Sequence, residues 1–285
     1  IDRFLTRYGY WPNASTLRNK AEESFTDETP ADTILAYFEN RDPVSGEGRL
    51  QLARAQLAKG RRDAAVINIR KAWIEENWTT SQERRILSSY GSYLTHEDHW
   101  KKADRQLFDI RATATRSLID YVPSDRRREI LTRIAFLRSD SNAISLYSTL
   151  PEKSKLDAGV LLAAVRYHRR RGNESTAIDL AGKAPLDAEE LRNPIAWHYE
   201  RIRLARWALK NARFEDAYVL SAYSGLESGA TFAEAEFMAG WVALRFLNDP
   251  ERAKAHFAFL SSGVTSPISL SRGEYWLGRA FAAAN

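Results

Sequence analysis

EAEFMAGWVALRFLNDPERAKAHFAFL, Glu234 to Leu260, decides how the chain is read. Phe237, Trp241 and Leu244 fall at i, i+4 and i+7, so they share one face of an α-helix. Asn248-Asp249-Pro250 breaks that run, and a second amphipathic run follows. The segment carries bulky aromatics and no catalytic group. It is a helical hairpin.

The same pattern recurs upstream. A helix, a short polar turn and a second helix opened by a small residue can be read in LAKGRRDAAVINI, LTHEDHWKKADRQL, LRSDSNAISLY, HRRRGNESTAIDL, LKNARFEDAYVL and LNDPERAKAHF. The alanines after each turn are Ala65, Ala103, Ala143, Ala177, Ala217 and Ala253, at successive spacings of 38, 40, 34, 40 and 36 residues. Two helices of three to four turns with short connections consume roughly 34 to 40 residues. The small residue lets the second helix lie close to the first. A hairpin cannot cover its own apolar face, so consecutive hairpins stack. The expected fold is all-α: an irregular α-solenoid, or superhelix, of tetratricopeptide-like hairpins. A non-repetitive helical bundle is the competing architecture.

Other stripes agree. Ile130, Ile134 and Leu137 follow i, i+4, i+7, and Ile202, Ala205 and Leu209 follow i, i+3, i+7. Residues 1–48 fit the pattern least. They read as an N-terminal helical segment and linker, with a helix from Pro30 to Glu39 capped by Asp27 or Thr29. Residues 49–285 read as the repeat domain. GVTSPISL, Gly263 to Leu270, reads as a loop because Pro267 and the serines break any ladder. The last helix is apolar on one side, with Trp276, Leu277 and Phe281, where a solenoid normally ends in a polar cap. The expectation is that the natural chain continues or that another domain sits on this end.

Composition narrows function. The chain has 285 residues, no cysteine and a net charge of +5. Without cysteine there is no thiol catalysis, disulfide, zinc finger or iron–sulfur cluster. The mild positive charge biases the chain toward anionic partners. No apolar run of about 18 residues exists, so no membrane span is expected. IDRFLTRYGYWPN has no secretory h-region, and numbering from Ile1 fits processing or trimming.

Candidate chemistry is sparse. HEDH, His96 to His99, has the residue types of a metal site but not the spacing, and Asp98 is better read as the N-cap of a helix starting at His99. Glu22-Glu23-Ser24-Phe25 and Asn173-Glu174-Ser175 contain Glu-Ser pairs without the context of an active site. YHRRRG (Tyr167 to Gly172) and DRRRE (Asp125 to Glu129) are isolated basic runs at helix ends. Cations suit a last turn, and a nucleic-acid binder needs an array, so no nucleic-acid partner is expected. NPIAWHYERIRLARWAL mixes Trp197, His198, Arg201, Arg203 and Trp207 along one helix. It is the candidate glycan-facing surface, because sugars favour aromatic faces with charged rims. No Ser/His/Asp arrangement, phosphate-cradling glycine loop or nucleotide fingerprint is present. The expectation is a chain without catalytic residues, cofactor or metal.

Three segments carry a family resemblance. Glu234 to Ala280, Leu94 to Leu107 with its His99, Trp100, Ala103, Asp104, Arg105 core, and Ile195 to Ser221 resemble the soluble lytic murein transglycosylases, particularly the α-proteobacterial type. The resemblance runs from about Gln51 onward. It implies a periplasmic protein in which a ring-like superhelical domain precedes a lysozyme-like catalytic domain. Such enzymes cleave the MurNAc–GlcNAc bond of peptidoglycan and leave an anhydro-muramyl end. One Glu, in an Arg-Gln-Glu-Ser-x-Phe-like motif, acts first as acid and then as base. Here Glu22-Glu23-Ser24-Phe25 lies at the wrong end and lacks the Arg-Gln, and the only methionine is Met238. No catalytic residue carries over. The expected partners are peptidoglycan and the chain's own C-terminal catalytic domain, docking on the 234–285 end. A stand-alone tetratricopeptide-like adaptor for proteins is the alternative, and a basic nucleic-acid binder ranks last.

Overall fold

In a computed structural model the described residues are 7 and 11–284. The remainder of the opening decapeptide read above for a leader, and Asn285, lie outside them. Among the described residues there are eighteen α-helices and no strand. The chain divides into two compact units, one holding residues up to Gln106 with Ala114–Arg126, the other Leu107–Thr113 with residues from Arg127 on.

The first unit contains α1 (Ala14–Glu23), α2 (Ala31–Tyr37), α3 (Gly46–Ala58), α4 (Arg62–Glu75), α5 (Thr80–Tyr90) and most of α6 (His96–Phe108). After the four-residue α7 (Ala112–Thr115), the second unit continues with α8 (Arg127–Arg138), α9 (Ala143–Ser148), α10 (Glu152–Lys155) and α11 (Ala158–Arg170). It then runs through α12 (Glu174–Ala181), α13 (Ala188–Leu191), α14 (Pro194–Lys210) and α15 (Phe214–Ala222). α16 (Gly229–Arg245), α17 (Pro250–Gly263) and α18 (Pro267–Ala284) complete it. Successive helices pack as hairpins, α3 on α4, α8 on α9, α11 on α12, α14 on α15 and α16 on α17, and α11, α14 and α16 stack in series. The fold is the irregular α-solenoid of helical hairpins expected from the repeat.

The six alanines explain the packing. All are fully buried, and all but Ala103 lie on a helix that closes a hairpin. Ala65 of α4 packs with Ala53 of α3 and Ile69 in one cluster. A methyl group is the largest side chain that lets two helix backbones approach this closely.

A shared turn sets up four of these approaches. Gly60, Ser139, Gly172 and Ala212 adopt left-handed φ of 72°, 60°, 75° and 55°. The next residue's N–H returns to the carbonyl five positions back, Arg61 to Gln56 (2.8 Å), Asp140 to Ala135 (2.9 Å), Asn173 to His168 (3.0 Å) and Arg213 to Ala208 (2.9 Å). These are Schellman caps, which satisfy the last carbonyls of the first helix and reverse the chain. Asn248, at φ 53°, ends α16 in a looser version. The positive φ is free of strain at Gly60 and Gly172; at Ser139 and Ala212 a Cβ meets its own backbone.

Two boundary expectations are corrected. The helix expected over Pro30–Glu39 spans Ala31–Tyr37 and has no side-chain cap; the Thr29 hydroxyl instead accepts from Thr26 N–H at 3.0 Å. GVTSPISL is loop only over residues 264–266, because Pro267 opens α18. Proline is at home in a first helical turn, where its missing N–H has no partner to lose.

A methyl group should act with opposite sign at two positions. At Gly240, an added Cβ lies 2.8–3.0 Å from ring carbons of the fully buried Phe257. Gly240→Ala should therefore lower stability by about 1–3 kcal/mol, although alanine normally favours a helix. Ala212→Gly should raise it by about 1 kcal/mol by relieving the left-handed alanine. Chemical denaturation of both variants checks the pair.

Candidate functional site

α14 is the helix that carries the expected glycan-facing residues. Asn193 caps it, accepting from Ala196 N–H at 2.9 Å, and Pro194 fits its first turn. α11, α12, α13, α15 and α16 pack around it. That crowding settles where its side chains go. Trp197, His198 and Arg201 are 0%, 2% and 4% exposed. They present no face to a polymer. Arg203 is half exposed and Trp207 partly so.

The accessible stripe instead runs through Ile195, Tyr199, Arg203, Arg206 and Lys210. Tyr199 is 48% exposed, and its carbonyl accepts from Arg203 Nη1 at 2.9 Å. Arg206 meets Glu234 of α16 at 2.5 Å, and the other oxygen of Glu234 lies 3.1 Å from His198 Nε2. The stripe thus offers one aromatic face and two guanidinium groups, each anchored through one terminal nitrogen. The sequence reading missed Tyr199, Arg206 and Glu234. The signal was present as i, i+4, i+7 spacing from Tyr199, but bulk drew attention to the tryptophans instead.

Beneath the stripe lies an ionic cluster. Glu200, 3% exposed, takes Arg169 Nε at 2.5 Å and lies 3.5 Å from both Arg166 Nε and Arg203 Nη1. Arg166 also donates to the Phe108 carbonyl at 3.1 Å. Burial pulls the Arg166 pKa down to about 10, with Glu200 opposing and Arg133 and Arg170 adding to the fall. Asp157 caps α11 through Gly159 and Val160 N–H at 3.0 and 3.1 Å and receives Arg192 at 2.9 Å on both oxygens. Burial pushes its pKa up, but Arg192 and Arg133 together hold it below the ordinary carboxylate value.

Farther along, Glu236 Oε2 lies 2.7 Å from His256 Nδ1, and His256 Nε2 lies 3.0 Å from the Tyr218 hydroxyl. The carboxylate–imidazole–hydroxyl order resembles a proton relay. All three are nearly buried, one on each of α15, α16 and α17, so the line pins three helices.

HEDH proves structural. α6 begins at His96, not His99, and its cap is Thr95. The Thr95 hydroxyl accepts from Asp98 N–H at 3.3 Å, and Asp98 Oδ2 accepts from Thr95 N–H at 2.8 Å. This reciprocal box corrects the reading of Asp98 as the cap: a carboxylate three residues into the helix reaches back to the entering N–H. His99 sits edge-on to Trp73 at 5.3 Å and beside Tyr121 at 5.1 Å. Lys102, fully buried, donates to the Trp73 and Glu76 carbonyls at 3.1 and 3.2 Å, and Arg105 to Ile74 at 2.7 Å. Cations placed on the last carbonyls of α4 complement its C-terminal dipole. Among the described residues no group of three or more His, Cys, Asp or Glu is placed to hold a metal ion. Nor is any helix among them long and apolar enough to cross a membrane.

The remaining motifs are committed locally. Glu22 is 2% exposed and accepts from Val44 and Ser45 N–H at 2.9 and 2.8 Å, while Ser24 donates to the Ala21 carbonyl at 2.6 Å. Of the basic run at 169–171, Arg169 serves Glu200 and Arg171 lies over the Tyr167 ring at 4.6 Å.

The sequence matches no family model and no curated protein. Among solved structures, the fold is similar to that of an inactive mutant of the lytic transglycosylase Slt from Pseudomonas aeruginosa. The TM-score is 0.60 at 17% identity, over 100% of this chain and 44% of that one. The chain thus spans less than half the length of that protein, and at this identity the likeness is one of fold.

Two outcomes test these assignments. Glu200→Gln leaves Arg166 buried without its counter-charge and should cost about 3–5 kcal/mol, whereas Arg203→Ala at the exposed end of the same cluster should cost less than about 1 kcal/mol. Thermal melts of the two variants separate them. His99 supplies a pH signature. Burial first, then His96 and Lys102, lower its pKa from 6.5 to about 4 against the opposing pull of Asp98. Between those values the unfolded chain binds a proton that the folded chain refuses. Stability should therefore fall as pH drops from about 6.5 to about 4 and level off below. Denaturation midpoints for wild type and His99→Phe across that range should converge in slope only if His99 is not the source.

Proposed function

We propose that this chain is the superhelical part of a lytic murein transglycosylase, of the α-proteobacterial soluble type, that acts in the periplasm. In this reading residues 49–285 hold the repeat, residues 1–48 lead into it, and a lysozyme-like catalytic domain outside this chain breaks the MurNAc–GlcNAc bond. The observation that carries the proposal is the fold likeness to a lytic transglycosylase over the whole chain. The net charge of +5 supports it, because the wall polymer is rich in carboxylates.

The helper role falls to the stripe on α14. A sugar ring stacks on an aromatic face and accepts hydrogen bonds from guanidinium groups at its edge, and Tyr199, Arg203 and Arg206 offer both, with Trp207 alongside. Their attachment to a crowded helix keeps them in register, so a glycan strand meets a pre-arranged surface. The catalytic domain docks on the 234–285 end. The supporting feature is α18, where Ile268 and Tyr275, seven residues apart on one face, are 82% and 58% exposed, and Leu270 and Phe281 on the other side are 39% and 53% exposed, apolar surface of the kind that marks an interaction site.

Retention on purified peptidoglycan sacculi tests the gripping role. The wild-type chain should be retained without releasing anhydro-muropeptides. Tyr199→Ala with Arg203→Glu should weaken retention by about tenfold, with an unchanged melting temperature. A wild-type chain that washes through, or a double variant that binds equally well, overturns it.

A further inference from the structure

Arg201 and Arg166 are both buried arginines with pKa values near 10, yet only one faces a carboxylate. Arg166 faces Glu200. Arg201 donates to two backbone carbonyls, Tyr223 and, at 3.5 Å, Pro185, and its guanidinium lies 5.1 Å over the Trp197 ring. Among the described residues no carboxylate partners it. Carbonyls satisfy N–H groups but leave the full charge uncompensated, which is a costly way to bury a guanidinium.

Arg201 is also part of the lining of a cleft of about 210 Å³ between α12 and α15. The walls are Ile178, Ala181, Leu186, Val219 and Leu220. Leu186 and Val219 are 60% and 41% exposed, so the cleft opens to solvent. Asp179 and Asp216 stand in the same lining, and Asp216 is held by Arg213 at 2.5 Å.

We propose that this cleft binds the free carboxylate of a short peptide with small apolar side chains. The uncompensated guanidinium selects an anion, and its planar fork fits a carboxylate. The apolar walls give a bare inorganic ion nothing to contact. The two aspartates repel a polyanion but accept the ammonium of a zwitterion. The volume lies below the roughly 300–1,000 Å³ of pockets for drug-sized ligands, which limits the occupant to one or two small residues. The argument rests on Arg201 and its surroundings and stands apart from the peptidoglycan reading.

Titration of the whole chain with alanyl-alanine, its C-terminal carboxamide, inorganic phosphate and hexanoate, followed by NMR, tests the site. The expected result is saturable binding of alanyl-alanine, at least tenfold weaker binding of the carboxamide, and no saturation by phosphate or hexanoate. Arg201→Gln should abolish the response. Val219→Trp, which fills the cleft from an exposed position and leaves Arg201 in place, should abolish it too with the fold intact. Equal binding of acid and carboxamide, binding of phosphate or hexanoate as tight as the dipeptide, no binding of the dipeptide, or an unaffected Val219→Trp variant each overturns the proposal.

Discussion

The close approach of paired helices over a buried alanine is the constraint on which the rest depends. It is set up by the turn before it. The left-handed residue precedes the alanine by five positions at Gly60, Gly172, Ala212 and Asn248, and by four at Ser139. The repeat period itself wanders between 34 and 40 residues. The turn and the alanine are therefore one rigid device, and the irregularity of the solenoid lies in the first helices and in the segments that join hairpins. That division has a physical basis. Lengthening a joining segment costs little closure entropy, whereas shifting an alanine by one position rotates a larger side chain into the helix contact.

Apolar stacking alone is permissive, since one hairpin face resembles another. Buried polar groups restrict the choice. Lys102 and Arg105 of α6 find the free carbonyls at the end of α4, which lie at one place only. Glu200 of α14 gathers arginines three residues apart on α11. Such pairs contribute little net stability, because each charge loses its water, but a wrong register strands them. The line from Glu236 through His256 to Tyr218 has the same effect on three helices at once. The His99–Arg105 segment is accordingly a framework for the fold.

The hairpins, their turns and the alanines were legible because each is written within a dozen residues: an apolar period of 3.6, a polar break, a small residue. Burial around α14 was not. Trp197, His198 and Arg201 look amphipathic in isolation, and only the neighbours on several sides make them interior. Glu200 depends on partners more than thirty residues away, a separation that no local pattern encodes. The Asp98 error is of another kind. Thr95-x-x-Asp98 is a capping box in plain sight, but Asp98 is itself a good N-cap residue, and taking it as the cap shifts the helix start by three residues.

The contrast between the two sides of α14 bears on function. On one side, Arg206 meets Glu234 and Arg203 meets Glu200, leaving guanidinium edges and Tyr199 toward solvent. Guanidinium groups held in place by carboxylates are oriented donors for the oxygens of a polar partner. On the other side Arg201 lines a recess of apolar walls and two aspartates, none of them its partner. An unmatched charge in low dielectric recognises one complementary ion strongly and disfavours everything else. In the proposed reading one helix thus separates two kinds of recognition, an extended polar stripe for a strand and a small recess for a chain end. Because Tyr199 and Arg201 stand two residues apart on a helix clamped by its neighbours, the spacing between the two surfaces is set by the thickness of a single helix.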